Sequence, residues 1–425
     1  MEEENKREHS GEFSFLREKI KEKPLDKKKL LYTAGGIAAM AVLFGVVAAY
    51  TFAYFQPRAQ KKLNPAQPDQ VTFPEDEEET AASGEEAHEE EQEPVVIQEK
   101  VGLELSDYEA LFTKMSVLAS ECSRSLVVVT SAVSEEDWFN TMLESQSQGS
   151  GAVIADNSLE YLILTERKLV ADADRISVTF RDGSIHEARI KSYDGNTGLA
   201  VLSVEKSDLS EDTKKTVSIA VLGNSNMLQN GAPIIAAGSP MEYGNETAFG
   251  NITSQGNYVH TNDANYKILT TDIIGNRNGS GVLLNMKGEI VGIISQDRSS
   301  ENSGNTIVAF AVSDLKGVIE KLSNGGEMAY MGIRGVDVTP TIAESSGMPR
   351  GVYVEVTMDS PAMLAGIQNG DIITAVNNEP VENMKAIQNI MLDFEPEQAL
   401  NLTVMRQGKD EYVELKYVVT LGKLK

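Results

Sequence analysis

Cysteine and histidine are nearly missing from this sequence. Its 425 residues hold one cysteine, Cys122, and four histidines, His9, His88, His186 and His260. A lone cysteine excludes an intrachain disulfide and leaves the redox compartment unread, and the scattered histidines show no metal-ligand spacing. No zinc site and no cofactor are expected. Positive charge is also scarce, with 38 Lys and Arg against 64 Asp and Glu and a formal net charge of −26. A body of that sign repels phosphate backbones, so nucleic acid is not an expected partner. The length exceeds what one core accommodates, so two folded domains are expected.

Long apolar runs are lacking too, with one exception. Leu30 to Phe55 is 26 residues without a charge, enough to span about 30 Å of hydrocarbon. A cleaved signal peptide would usually have a shorter apolar region, of about 7–15 residues, so an uncleaved membrane helix over 30–55 is expected. Arg17, Lys19, Lys21, Lys23, Lys27, Lys28 and Lys29 precede the run, while Arg58, Lys61 and Lys62 follow it closely. That asymmetry puts residues 1–29 in the cytoplasm and everything after Phe55 outside, in a single-pass arrangement in the cell membrane.

Residues 56–98 are dense in Glu and poor in large apolar side chains, which predicts a disordered acidic tether kept extended by its own charge. From about Val101 the texture changes to short β-branched runs such as "SLVVVTSAV", "RISVTF" and "TIVAFAVS", punctuated by Gly, Asn and Asp turns. This predicts a mainly β domain of sandwich or barrel type over 99–325. Helical spacing of apolar residues predicts one helix ahead of it, over 107–123. Gly325-Gly326 marks a junction, and 326–425 forms a last domain.

Six segments in order, "SQGSGAVI" (147–154), "LGNSNMLQNGAPIIAAGSP" (222–240), "GNITS" (250–254), "TTD" (270–272), "LLNMKGEIVGI" (283–293) and "IVAFAVS" (307–313), resemble the trypsin-like domain of the HtrA (Deg) protease family. The resemblance implies two six-stranded β-barrels with a cleft between them. It also implies an N-terminal membrane anchor, a linker and a C-terminal PDZ domain. Such protease domains commonly form trimers, so a homotrimer, or a mixed oligomer with an active paralogue, is implied as well.

The family's catalytic residues do not carry over. "ILTERKLV" aligns with the motif of the histidine base and puts Lys168 at that position. "TGLAVL" aligns with the aspartate motif and puts Gly198 there. In "RNGSGVLLN" the nucleophile position falls on Gly279 counted back from Asn285, and on Ser280 counted forward from Asp272. Acyl transfer needs nucleophile, base and orienting acid together, and a Ser–Lys pair would need a desolvated ammonium. A degenerate, noncatalytic triad is therefore expected, with Ser280 a turn residue. The backbone amides of 275–281 could persist as an oxyanion hole or could have collapsed.

In the last domain, "YMGIRG" and "GVYVEVTMDSPAMLAGIQNGDIITAVNNEPV" resemble an HtrA-type PDZ domain. The resemblance places the backbone amides of Tyr330, Met331, Gly332 and Ile333 where a peptide's terminal carboxylate is received. Arg334 and Val336 continue the pairing strand. Ile387, Met391 and Leu392 are expected to form an apolar side-chain pocket on the groove helix. The chain is thus expected to bind polypeptide C-termini or unfolded segments as an adaptor, chaperone or regulator in protein quality control. The alternatives are an active endopeptidase with rearranged residues and a purely oligomeric scaffold.

Overall fold

The computed structural model describes residues 68–74, 76, 104–136, 142–298 and 305–424. The expected cytoplasmic segment 1–29, the span 30–55 and most of the acidic tether lie outside them. Among the described residues no helix is long and apolar enough to cross a membrane.

Helix α1 (Leu105–Cys122) opens with a capping box between Glu104 and Asp107 and leads into the first barrel. That barrel is built from β1 (Leu126–Glu136), β2 (Met142–Asp156), β3 (Glu160–Glu166), β4 (Arg175–Thr179), β5 (Ile185–Tyr193) and β6 (Leu199–Glu205), closed in the order β1-β2-β3-β6-β5-β4. A short helix α2 (Glu211–Thr216), capped by the Ser210 hydroxyl on the Thr213 amide, joins it to the second barrel. There β7 (Pro233–Ser239), β8 (Glu246–Thr261), β9 (Ala264–Ile274), β10 (Ser280–Leu284), β11 (Ile290–Ile294) and β12 (Thr306–Ala311) close in the order β10-β11-β12-β9-β8-β7. The apolar runs read in the sequence are these strands. β11 is buried along its whole length, and inward residues such as Val129, Ile163 and Leu202 in one barrel and Ile234, Leu269 and Leu283 in the other fill the two interiors.

A third cluster joins the barrels. Ile154, Leu162 and Leu199 meet Ile235, Val282, Ile293 and Phe310, and helix α3 (Val312–Ser323) adds Leu315, Val318, Ile319 and Leu322. This continuous apolar seam fixes the barrels against each other and so fixes the shape of the cleft between them.

After α3 the chain forms the last domain. Its sheet runs β14 (Ile333–Val338), β15 (Gly351–Val356), β16 (Ile372–Val376), β18 (Ala399–Gln407), β19 (Tyr412–Thr420), with β17 (Glu379–Pro380) on β16. A two-stranded pair of β13 (Ala329–Tyr330) and β20 (Gly422–Lys423) closes one end. Helices α4 (Pro340–Ser346), α5 (Pro361–Ala365) and α6 (Met384–Leu392) complete it. Two ion pairs tie this domain to α3: Lys385 to Asp314 at 3.4 Å and Glu395 to Lys321 at 3.6 Å.

Two expectations need correction. Part of the stretch expected to be a disordered tether is docked on α3. Val71 exchanges two hydrogen bonds with the Asn324 amide, the Phe73 N–H donates to Glu320, and Asp76 pairs with Lys316 at 2.7 Å. The reason is local: Val71 and Phe73 interrupt the acidic run with apolar surface, and both pack against the seam between the barrels. The second concerns α6, where Ile387 and Met391 are 0% and 5% exposed inside the domain's own core. Leu392 turns the other way, onto Gly317 of α3 and the barrel seam. Positions i and i+4 share a helix face, but i+5 has rotated past it.

Candidate functional sites

The positions matched to a catalytic triad do converge on the cleft. Lys168 follows β3 and Gly198 precedes β6, and the Arg167 N–H donates to the Gly198 carbonyl at 2.7 Å, so the two positions are neighbours. Gly198 carries no side chain, and its φ of 71° is left-handed. The acid nearest in sequence, Asp194, spends its carboxylate on the amides of Asn196 and Thr197 and on the Thr197 hydroxyl. Lys168 lies between two carboxylates, 3.3 Å from Glu166 and 3.4 Å from Asp297. Burial pushes the Glu166 carboxyl up to about 7, against the pull of Lys168 and with a further push from Asp297.

On the opposite wall, the register question around the nucleophile resolves geometrically. Gly279 sits in a tight turn where a Cβ would collide with the Pro240 carbonyl, so no side chain fits there. Ser280 opens β10, is 1% exposed, and its hydroxyl accepts the Ser150 N–H of the other barrel at 2.9 Å. Ser150 is held in turn by the Thr165 hydroxyl on its carbonyl. Among the described residues no hydrogen bond joins Ser280 to Lys168. The cavity beside them, lined by Ser150, Thr165, Glu166 and Gly281, measures about 10 Å³, roughly room for one water.

Four of the amides in 275–281 already have acceptors, two within the turn and two outside it. Gly275 N–H donates to Asn305, Asn276 N–H to Pro240, Asn278 N–H to the Asn276 side chain, and Gly279 N–H to the Asn276 carbonyl.

At the other candidate site, the backbone amides of Met331, Gly332 and Ile333 converge on one point, as a carboxylate-receiving loop requires. Gly332 adopts φ 87°, and a Cβ there would strike Ser360. Among the described residues β15 is the one strand paired with β14, so its other edge carries no strand, and Arg334 and Val336 are exposed along it. The three amides are occupied, however. The Asp263 carboxylate, from the turn between β8 and β9, accepts from Met331 at 2.8 Å, Gly332 at 2.8 and 3.0 Å, and Ile333 at 3.0 Å. Sequence reasoning missed Asp263; "TND" reads only as a turn, and nothing in it announces a distant loop.

Comparison with known proteins agrees with this architecture. Residues 149–293 match the trypsin-like peptidase domain family and residues 329–417 the PDZ domain family. The "Serine protease Do-like HtrA" of Lactobacillus helveticus is 28% identical over 295 residues, covering 65% of this chain and 70% of that protein. The "Probable periplasmic serine endoprotease DegP-like" of Rhizobium meliloti is 30% identical over 281 residues, covering 64% and 54%, and its namesake in Pseudomonas savastanoi pv. phaseolicola is 32% identical over 289, covering 66% and 57%. The chain thus spans little more than half the length of these DegP-like relatives. The solved structure "HtrA-type protease AlgW with decapeptide" superposes with a TM-score of 0.52 at 22% identity, over 73% of this chain and 98% of that one; at that identity it bears on the fold alone. A trypsin-like double barrel followed by a PDZ domain is the class defined by fold and sequence together. Within that class the relatives that it matches are HtrA- and DegP-like serine proteases.

Proposed function

We propose that this chain is a membrane-anchored HtrA-type pseudoprotease: it receives polypeptide C-termini or unfolded segments at its PDZ domain and does not cleave them. It serves as an adaptor, chaperone or regulator in protein quality control on the outer side of a cell membrane, alone as an oligomer or together with an active relative. The observation that carries this reading is the state of the cleft. Lys168, at the base position, is held between Glu166 and Asp297, while the Ser280 hydroxyl is tied to the Ser150 amide. Among the described residues no base is hydrogen-bonded to Ser280 to take its proton in acyl transfer. The periplasmic naming of relatives and the excess of cations before residue 30 support an extracytoplasmic place for both domains.

The test is a serine-directed fluorophosphonate probe together with casein and fluorogenic-peptide hydrolysis. No labelling and no turnover above background are expected. Labelling at Ser280 that disappears in Lys168→Ala would establish an active Ser–Lys endopeptidase instead.

A further inference from the structure

A carboxylate inside the loop of Met331–Ile333 is the chemical feature that a peptide C-terminus would bring. Asp263 is 5% exposed, and a carboxylate so far out of water persists only where charge-assisted hydrogen bonds replace its hydration. Here the amides of the loop supply them. The match goes beyond the side chain. The Asp263 N–H donates to the Ile333 carbonyl at 2.7 Å, the main-chain bond that the last residue of an added strand would make. Two residues on, the side-chain amide of Asn265 (Nδ2) donates to the Gly335 carbonyl at 3.1 Å, so a side chain of the same turn fills the next acceptor on that edge of β14. The neighbouring Asn262 side chain accepts from the Thr357 hydroxyl at 2.9 Å. Asp263 itself holds φ 64°, a left-handed conformation that Asp tolerates better than most side chains, so the turn presents its carboxylate in a fixed direction.

We propose that Asp263 is an internal stand-in for a peptide's terminal carboxylate. The PDZ loop is self-occupied, and a polypeptide with a free C-terminus binds by displacing the β8–β9 turn, which releases the PDZ domain from the second barrel at this contact. The inference rests on the reading of Tyr330–Ile333 as a peptide-receiving loop. It adds that the ligand competes with the chain itself, so apparent affinity is lowered by the small fraction of molecules in which the loop is open.

The experiment uses the full chain in detergent and its Asp263→Asn and Asp263→Ala variants. Each is titrated by fluorescence anisotropy with labelled decapeptides of randomised sequence ending in Leu, Val, Ile or Phe, with either a free or an amidated C-terminus. Deuterium exchange at the amides of Met331, Gly332 and Ile333 is followed on the same samples. Both variants are expected to bind the free-carboxylate pool at least about tenfold more tightly than the wild type, with no binding of the amidated pool and with faster loop-amide exchange in the absence of peptide. Equal affinity in wild type and variants overturns the stand-in and leaves peptide recognition intact. Wild-type loop amides that exchange as fast as those of Asp263→Ala overturn it as well. Open loops in the variants that capture no peptide of either pool overturn the recognition reading, and the stand-in with it. Asp263→Asn keeps the side-chain shape, so the comparison survives if the alanine variant melts early.

Discussion

The inter-barrel cleft and the PDZ loop are both places where an HtrA fold can meet polypeptide, yet one depends on side chains and the other on backbone. In the cleft the scaffold is kept: β3, β6 and β10 deliver positions 168, 198 and 280 to one region. Chemistry there is a matter of which atoms the side chains carry, and positions 168 and 198 carry a lysine and a glycine in place of an imidazole and a carboxylate. In the loop the working groups are amides that every residue except proline possesses. Such a site is hard to lose by substitution. It is equally unable to tell one carboxylate from another, which is how Asp263 can fill it. A site of side chains is therefore erased by mutation, whereas a site of backbone is more readily blocked by occupation.

The largest effect should come from trying to undo the first half of that contrast. Restoring the missing types with Lys168→His and Gly198→Asp supplies a base and an acid, but the Ser280 hydroxyl remains bound to the Ser150 amide and the amides of Gly275, Asn276, Asn278 and Gly279 keep their present acceptors. Hydrolysis of fluorogenic peptides by the double variant is expected to stay about 10⁴-fold or more below that of an intact triad enzyme. Recovery to within about tenfold of such an enzyme would mean that identity alone was lost and the cleft is otherwise competent.

A second, smaller effect tests whether the two backbones are equally rigid. An added methyl at Gly279 meets the Pro240 carbonyl, and one at Gly332 meets Ser360 while also facing a φ of 87°. Gly279→Ala and Gly332→Ala are each expected to cost about 2–4 kcal/mol in denaturant unfolding. The second should also expose the loop amides to exchange. If Gly279→Ala were neutral, the turn would be soft, and its amides could be freed to receive a substrate carbonyl.

What could be read from the sequence follows the same division. The strands, the leading helix and the change of domain near Gly325 were legible because β-branched runs and turn residues are local signals; the helix expected over 107–123 forms at Leu105–Cys122. Lys168 and Gly198 were legible because motif alignment fixes position without knowledge of contacts. The choice between Gly279 and Ser280 was not, since it turns on one carbonyl, Pro240, 39 residues upstream of Gly279. Asp263 and Leu392 were missed for a shared reason: their partners lie across the join between barrel and PDZ domain, which neither turn chemistry nor helical spacing encodes. Val71 and Phe73 were hidden by their neighbours, because average composition over an acidic stretch conceals two anchoring side chains.

The smallest effect separates the two regions by pH. Glu166 in the cleft is pushed from 4.5 up to about 7 by burial, and Asp263 in the loop from 3.8 up to about 6, again by burial, opposed by the three loop amides and reinforced by Asp194. For a carboxyl raised on folding, the folded chain holds a proton that the unfolded chain has already lost. Its contribution is complete below the unfolded value and disappears as pH rises through the folded one. Stability should therefore fall across pH 4.5–7 on account of Glu166 and across pH 3.8–6 on account of Asp263. Glu166→Gln should flatten the first window, with a difference from wild type between pH 4.5 and pH 8 on the order of 2 kcal/mol. Asp263→Asn should flatten the second, and because it also weakens the loop contact, its curve should sit lower overall. Denaturant midpoints at pH 4, 5.5 and 8 give both differences. If Asp263→Asn left the acid window unchanged, the loop amides would already outweigh burial, and Asp263 would be held as a full charge at every pH of interest, an even closer likeness of a chain terminus.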